Sequence, residues 1–129
     1  MGHPILEAIS PFFIVGDVDR TIAFYRDRLG FAATYQEPQS QPFFAIIVRD
    51  SAQLFVKSEA GVEPLPNAVR HPSMRWDAYV HAPDPDALAA EFLDRGAAFS
   101  EPLRDTHDGL RGFEITDPDG HVLFFGRPR

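Results

Sequence analysis

Cysteine is absent from this 129-residue chain, and its absence removes several kinds of chemistry. Disulfide bonds, thiolate nucleophiles and cysteine-ligated zinc are all excluded. Any bound metal would depend on histidine and carboxylate ligands. No apolar run approaches the ~18 residues that span a bilayer, and the N-terminus has neither the basic start nor the apolar stretch of a signal peptide. We therefore expect a cytoplasmic protein with no membrane partner.

Positive charge is scarce, because 12 Lys and Arg residues stand against 19 Asp and Glu, for a formal charge of −7. This balance repels phosphate backbones, so no nucleic acid partner is expected, although plain solubility is a simpler reason for it. No glycine-rich phosphate loop and no Gly-x-Ser-x-Gly elbow supports nucleotide binding or serine hydrolysis. The chain does contain 44% hydrophobic residues and 12 Phe, enough to bury a globular core.

The first half of the chain has a strand, a helix and further strands. An apolar run at residues 9–15 has the length of a strand, and Asp17 is the expected N-cap of a helix that Gly30 ends. Three further strands are predicted at residues 32–36, 43–48 and 53–56. Residues 58–75 hold three prolines and no regular apolar period, which indicates a connector.

The pattern then starts again. Residues 76–82 predict a strand, Asp84 an N-cap, and Pro85 the first position of a helix that Gly96 ends. Two strands at residues 112–116 and 121–125 flank the turn Asp117-Pro118-Asp119-Gly120. The order of these features repeats that of the first half.

The repeat predicts two βαβββ modules, at about residues 8–57 and 76–127. Residues 10–17 match 77–84, and Asp50–Phe55 matches Asp119–Phe124. Chance likeness of two apolar strand–helix pairs is the alternative. Each module is too small to bury its own sheet face, so we expect the two to pair into a single curved sheet within one domain spanning residues 1–129.

Two groups of motifs resemble those of the vicinal-oxygen-chelate superfamily of glyoxalases, bleomycin resistance proteins and extradiol dioxygenases. The first group runs from Asp17 through Ala23-Phe24-Tyr25 to Leu29-Gly30-Phe31; the second runs from Gly109-Leu-Arg111-Gly-Phe113 to Asp117-Pro-Asp-Gly120. The resemblance covers about residues 8–127 and is closest to the metal-free bleomycin resistance proteins. It implies an α+β fold in which two βαβββ modules form a cupped mixed sheet, in a homodimer whose cups bind a small-molecule ligand.

The metal-ligand positions of this superfamily carry over to Ser10, Phe55, Asp77 and Phe124. Only Asp77 could coordinate a divalent ion, because serine is a poor ligand and phenylalanine offers none. The histidines at 3, 71, 107 and 121 fall in a terminus, in loops or beside a turn, and do not rebuild a site. We therefore expect no metal, no cofactor and no catalytic residue. Arg111 is expected either to brace the turn through Asp117 or Asp119, or simply to be exposed.

Strand alternation predicts which side chains line the cup. In a strand, Asp77, Tyr79 and His81 share one face, and the same argument places Ser10 and Phe12 in the cup. The predicted ligand-binding residues are Ser10, Phe12, Phe55, Asp77, Tyr79, His81, Glu114 and Phe124. Aromatic walls with a few carboxylates suit a flat or cationic compound. The alternatives are that the phenylalanines fill the core, and that Asp77 and His81 form either an acid–base pair or a structural pair.

These features leave three functions open. The leading hypothesis is sequestration of a small aromatic or cationic compound without changing it, as a bleomycin resistance protein does. The second is an enzyme of the glyoxalase, thiol-transferase or dioxygenase type, using a displaced metal site or the pair of Asp77 and His81. The third is a protein-binding role in which the aromatic face is an interface.

Overall fold

The computed structural model describes residues 2–129, which form eight strands and three helices. The first module contains β1 (Phe12–Ile14), α1 (Val18–Leu29), β2 (Ala32–Glu37), β3 (Phe44–Arg49) and β4 (Ala52–Lys57). A short helix, α2 (Asn67–Arg70), lies in the connector. The second module contains β5 (Ala78–His81), α3 (Pro85–Asp94), β6 (Phe99–Asp105), β7 (Leu110–Thr116) and β8 (Val122–Pro128). The predicted α+β fold of two βαβββ modules is confirmed.

Each module has a four-stranded mixed sheet of the same topology. The strand orders are β1-β4-β3-β2 and β5-β8-β7-β6. The first strand of each module pairs in parallel with the last, and the other pairs are antiparallel. The two sheets are separate in their hydrogen bonding, so the single curved sheet that we expected is two sheets packed on a common core.

The helices begin and end where the capping residues predict. Asp17 caps α1 by accepting a hydrogen bond from the backbone N–H of Arg20 at 3.2 Å, and Gly30 ends it with a φ of 72°. Asp84 caps α3 in the same way, with Pro85 in the first turn. The helix α1 buries Ile22 and the other apolar residues on the face that packs against the first sheet.

Strand β6 had no strong signal in the sequence. It lies at the edge of its sheet, contains Pro102 and has mostly exposed side chains. Proline is tolerated in an edge strand because one side of that strand needs no ladder hydrogen bonds. The connector helix α2 was also missed, because it is one turn long and follows a proline.

One hydrophobic core joins the two modules. It contains Ile47 and Val56 from the first sheet, Phe113 and Phe125 from the second, and Phe92 from α3. We call the helix-covered side of each sheet its inner face and the opposite side its outer face. Both inner faces contribute to this core, which leaves the outer faces for other contacts. Within residues 2–129, no helix is both long and apolar enough to cross a membrane.

Candidate functional site

The outer face of the first sheet carries a cluster of aromatic side chains. The parallel register places Phe12 beside Phe55, with ring centroids 5.7 Å apart. Phe44 lies 6.0 Å from Phe12 and 6.1 Å from Phe55, and Tyr35 extends the cluster beyond Phe44. The side of the cluster away from the sheet is open, and Phe12 is 56% exposed. Of these four, the sequence predicted Phe12 and Phe55.

The outer face of the second sheet carries a second aromatic cluster, which is more closed. Trp76 stacks on Phe124 with centroids 4.4 Å apart, and Tyr79 lies 5.4 Å from Phe124 and 4.8 Å from His81. Phe124 is only 2% exposed as a result. The sequence predicted Tyr79, His81 and Phe124 by strand alternation but did not predict Trp76. Trp76 escapes that alternation because it precedes β5 and is not part of the strand.

A pair of glycines makes room for the ring of Phe124. Gly112 and Gly126 face each other across β7 and β8. A Cβ atom added to Gly112 would lie 2.5 Å from the Phe124 ring and 2.4 Å from the carbonyl oxygen of Phe125. At Gly126 the added atom would also lie 2.5 Å from the Phe124 ring. The ring therefore lies flat on backbone that only glycine leaves uncovered.

Glu114 places a carboxylate within the second cluster. It pairs with Phe124 in the β7–β8 register and is buried. Its Oε2 accepts a hydrogen bond from Trp76 Nε1 at 2.9 Å and one from Arg75 Nη2 at 3.3 Å. The Arg75 guanidinium also lies 4.9 Å from the Trp76 ring centroid. A carboxylate whose cationic partner is a half-exposed arginine can exchange that cation for a ligand.

Asp77 has a structural role in this conformation. One carboxylate oxygen accepts the backbone N–H of Asn67 and the other that of Val122, both at 2.8 Å. These bonds fix the connector to the start of β8, and no hydrogen bond joins Asp77 to His81. Ser10 likewise accepts a hydrogen bond, from Gln53 Nε2 at 3.2 Å.

The predicted residues form separate groups within one chain. Phe12 and Phe55 belong to the first cluster, whereas Tyr79, His81, Phe124 and Glu114 belong to the second. Phe12 and Asp77 line one cavity of about 400 Å³ between β1 and the connector. The aromatic contacts of the described residues do not join the two clusters. The two clusters are therefore separate surfaces within the part of the chain that the structure describes.

The turn before β8 contains a buried histidine, His121, to which the sequence analysis assigned no role. His121 Nδ1 lies 3.1 Å from Asp117 Oδ2, to which the Tyr25 hydroxyl also donates a hydrogen bond at 3.0 Å. The His121 ring stacks on Phe13 of β1, 4.2 Å away. Burial lowers the pKa of His121, but the hydrogen bond and charge of Asp117 outweigh it and leave the pKa raised. Burial and then Asp117 raise the pKa of Tyr25 well above its ordinary value.

One group of the described residues has the donor types of a metal site. One ligand atom from each of Asp117, Asp119 and His121 lies within 4.8 Å of the others. Asp117 Oδ1 already accepts the backbone N–H groups of Asp119 and His121, both at 2.9 Å. Asp119 Oδ1 accepts the guanidinium of Arg20 at 3.0 Å, while its Oδ2 is buried without a hydrogen-bond partner. The group fits a turn braced by hydrogen bonds better than it fits a cation.

The superfamily ligand positions do not fit a divalent cation either. Phe55 and Phe124 offer no donor atom, and both oxygens of Asp77 are used by backbone N–H groups. Of the two expectations for Arg111, the brace to Asp117 or Asp119 was wrong, because Arg111 forms a bidentate pair with Asp86 at 2.8 Å and a contact with Asp105 at 3.1 Å. Arg20 from α1 contacts the turn instead.

The duplicated module, with its helix against the inner face of a mixed sheet, defines a two-module glyoxalase-like fold. The model of the Glyoxalase/Bleomycin resistance protein/Dioxygenase superfamily matches residues 8–125, and the chain belongs to that superfamily. A comparison with curated proteins finds no matching sequence.

Several solved structures have the same fold. TioX from Micromonospora sp. ML1 has a TM-score of 0.72 and 21% identity, with 95% of this chain and 100% of TioX covered. A bleomycin-binding protein in complex with bleomycin has a TM-score of 0.72 and 19% identity, with 96% and 100% covered. A glyoxalase-related enzyme from Clostridium phytofermentans has a TM-score of 0.73 and 14% identity, with 98% of each chain covered. At these identities the likeness establishes the fold alone.

Proposed function

We propose that the protein binds a small aromatic or cationic compound without changing it. The observation that carries the proposal is the buried carboxylate of Glu114 among the aromatic rings of the second outer face. Trp76 and Tyr79 offer stacking surfaces, and Glu114 offers a negative charge to a cation. A planar cation would displace Arg75 from Glu114 and take its place against Trp76.

A homodimer would complete this pocket. Phe12, Ile14 and Tyr35 leave an apolar first outer face exposed, as protein interfaces commonly do. Placing that face opposite the second outer face of another copy would bury both clusters and enclose the space between them. The bleomycin-binding protein shares this fold and is solved with its ligand, which supports binding as the function.

Calorimetric titration with a matched pair of compounds tests the charge selectivity. At pH 7.5, 9-aminoacridine is a planar cation and acridine is its neutral counterpart, and bleomycin is titrated as a third compound. We expect Glu114→Gln to weaken 9-aminoacridine binding by about tenfold, the equivalent of ~1.4 kcal/mol, and to leave acridine binding unchanged. The amide can still accept the Trp76 N–H, so the fold is preserved.

A control variant and a second readout locate the site. Glu63→Gln removes the same charge from the exposed connector and should bind both acridines as the wild type does. Trp76 is the only tryptophan, so its emission reports occupancy directly. Equal loss of both acridines in Glu114→Gln, or unchanged Trp76 emission on saturation, would contradict the proposal.

Sedimentation velocity tests the dimer. We expect a dimer at micromolar concentration, and we expect Phe12→Glu to shift it toward monomer because a charge would enter the apolar contact. Val69→Glu places the same charge on exposed α2 and serves as the control. A monomeric wild type would remove the two-copy pocket while leaving binding to the second outer face testable.

An enzymatic function of the glyoxalase, thiol-transferase or dioxygenase type is the alternative. The group of Asp117, Asp119 and His121 is the observation in its favour, since these residues supply nitrogen and oxygen donors. Elemental analysis of protein purified without chelators distinguishes the two functions. Stoichiometric zinc, nickel, manganese or iron that is lost in Asp119→Asn would favour the enzyme.

A further inference from the structure

A second cavity, of about 420 Å³, lies on the helix side of the second sheet, and His81 at the end of β5 borders it. Its walls are Val80 from β5, Leu88 and Phe92 from α3, and Phe125 from β8, with Phe31 from the first module closing one side. The volume falls within the ~300–1,000 Å³ of small-molecule pockets, and the walls are apolar as such pockets require. None of these five residues belongs to either aromatic cluster.

The rim of this cavity carries an excess of negative charge. Asp50, Asp84 and Glu91 supply three carboxylates, and Arg49 supplies a guanidinium. Arg49 forms a bidentate pair with Glu91 at 2.7 and 2.8 Å and donates another hydrogen bond to the Leu29 carbonyl oxygen. Its donors are therefore committed to the protein and are not free to bind an anion.

The negative charge of Glu91 is balanced by arginine side chains of the protein itself. Besides Arg49 it accepts Arg95 Nε at 2.8 Å, and these contacts, that of Arg49 above all, hold its pKa at about 2. Two guanidinium groups against three carboxylates leave one negative charge without a cation. Asp50, whose side chain is 92% exposed, lies 3.8 Å from Arg49 Nε, so among the described residues Asp84, whose Oδ1 caps α3, is the rim carboxylate without an ion pair.

We infer that this cavity binds a small organic monocation, an ammonium group on a phenyl-sized apolar body, at a site separate from the outer faces. The apolar body lies against Leu88 and Val80, and the ammonium group lies at the rim between Asp50 and Asp84. One net negative charge selects a monocation over both a neutral compound and an anion. The inference goes beyond the proposed function, because His81 is the one residue of the two outer-face clusters that borders the cavity, and Glu114, Trp76 and Tyr79 do not line it.

Three probes of one size test the charge preference. Phenethylammonium, 2-phenylethanol and phenylacetate are titrated in turn into the full-length protein, labelled with ¹⁵N, and followed by NMR. We expect phenethylammonium to bind about tenfold more tightly than 2-phenylethanol, and phenylacetate to bind more weakly than either. The largest shifts should fall on the amides of Val80, Ala87 and Leu88. Shifts confined to the outer faces, or equal affinity for the alcohol and the ammonium, would overturn the inference.

Two tryptophan substitutions on α3 form a matched pair. Ala87 is exposed and lines the cavity, whereas Ala90 is exposed on the same helix and does not. Ala87→Trp should fill the opening and reduce phenethylammonium affinity by about tenfold or more, whereas Ala90→Trp should stay within about twofold of the wild type. Equal affinities in the two variants would refute the site.

Charge removal at the rim is possible without altering the backbone. Asp50 has a φ of 52°, which asparagine adopts readily, and asparagine at position 84 can still cap α3. Asp50→Asn and Asp84→Asn should each lower the preference for ammonium over alcohol several-fold. A preference unchanged in both variants would show that the rim does not select charge.

The same variants separate this inference from the proposed function. Ala87→Trp should leave 9-aminoacridine binding unchanged, and Glu114→Gln should leave phenethylammonium binding unchanged. If Glu114→Gln alone abolishes phenethylammonium binding, the second site is refuted while the proposed function stands. If Ala87→Trp alone abolishes it, the second site stands whatever the outer faces bind.

Discussion

The two outer faces have the same topology but differ in how far their aromatic rings are covered by the rest of the chain. Phe55 and Phe124 occupy equivalent positions in β4 and β8, each beside the first strand of its module. Phe55 remains partly exposed next to Phe12, whereas Phe124 is covered by Trp76 from the end of the connector. The duplicated backbone thus produces one open face and one that the chain covers itself.

Cross-strand neighbours explain this difference. Two residues after Phe55 the chain has Lys57, whose partner is Phe44; two residues after Phe124 it has Gly126, whose partner is Gly112. On the first sheet the neighbouring Phe44 ring is tilted by 59° against Phe55, whereas on the second sheet the glycines let the ring of Phe124 lie flat. The topological repeat therefore fixes the backbone positions of Phe55 and Phe124. How deeply each ring is buried depends on the residues beside it.

The largest expected effect is on stability. Phe124→Ala should lower the free energy of unfolding by about 3–5 kcal/mol, because it removes a fully buried ring, whereas Phe55→Ala should cost about 1–2 kcal/mol because part of that ring is already exposed. Urea denaturation followed by circular dichroism measures both. Equal losses would mean that the two faces are equally open, and the comparison would fail.

A smaller effect is expected at the glycine pair. Gly112→Ala should cost about 1–3 kcal/mol through overpacking against the Phe124 ring and the Phe125 carbonyl. Gly2→Ala, where no atom lies within 4 Å, should stay within about 0.5 kcal/mol of the wild type. If Gly112→Ala is as stable as the wild type, Phe124 does not lie flat on β7.

The turns between the last two strands of each module also differ in burial, and again the second module has the buried side chain. In the first module, the Asp50 side chain is exposed to solvent. In the second, Asp117 is fully buried and bonded to Tyr25 and His121. The second turn thus ties its module to α1 and to β1.

The smallest expected effect is the pH dependence of this second turn. The folded pKa of His121 lies above the unfolded value of about 6.5, with Asp117 as the main favourable cause and Asp77 and Asp119 adding to it. Its stabilisation is therefore complete below about pH 6.5 and is lost as the pH rises through the folded pKa. For one proton the slope stays below ~1.4 kcal/mol per pH unit.

Comparison with His121→Gln isolates this contribution. The amide can still donate to Asp117 but does not titrate in this range. Thermal unfolding from pH 5.5 to 9 should show the wild type losing stability relative to the variant as the pH rises. A constant difference between the two proteins would mean that His121 has the same pKa in both states.

The sequence by itself determined the modules and their helices. Capping at Asp17, Gly30 and Asp84 and the repeated apolar pattern depend on near neighbours along the chain, so they could be predicted without the fold. Strand parity also assigned Tyr79 to the outer face of its sheet. The predictions of a homodimer, of a cytoplasmic location and of the eight ligand-binding residues stay predictions.

Only the tertiary structure decided which side chains meet. The contacts of Asp77 with Asn67 and Val122, of Asp117 with Tyr25, and of Arg111 with Asp86 join segments that no local pattern relates. Trp76 covers Phe124 because the end of the connector crosses the outer face. The alternation of side chains along a strand does not apply to Trp76, because this residue lies outside β5. Hydrogen-bonding and packing partners depend on distances that are set only when both modules share one core.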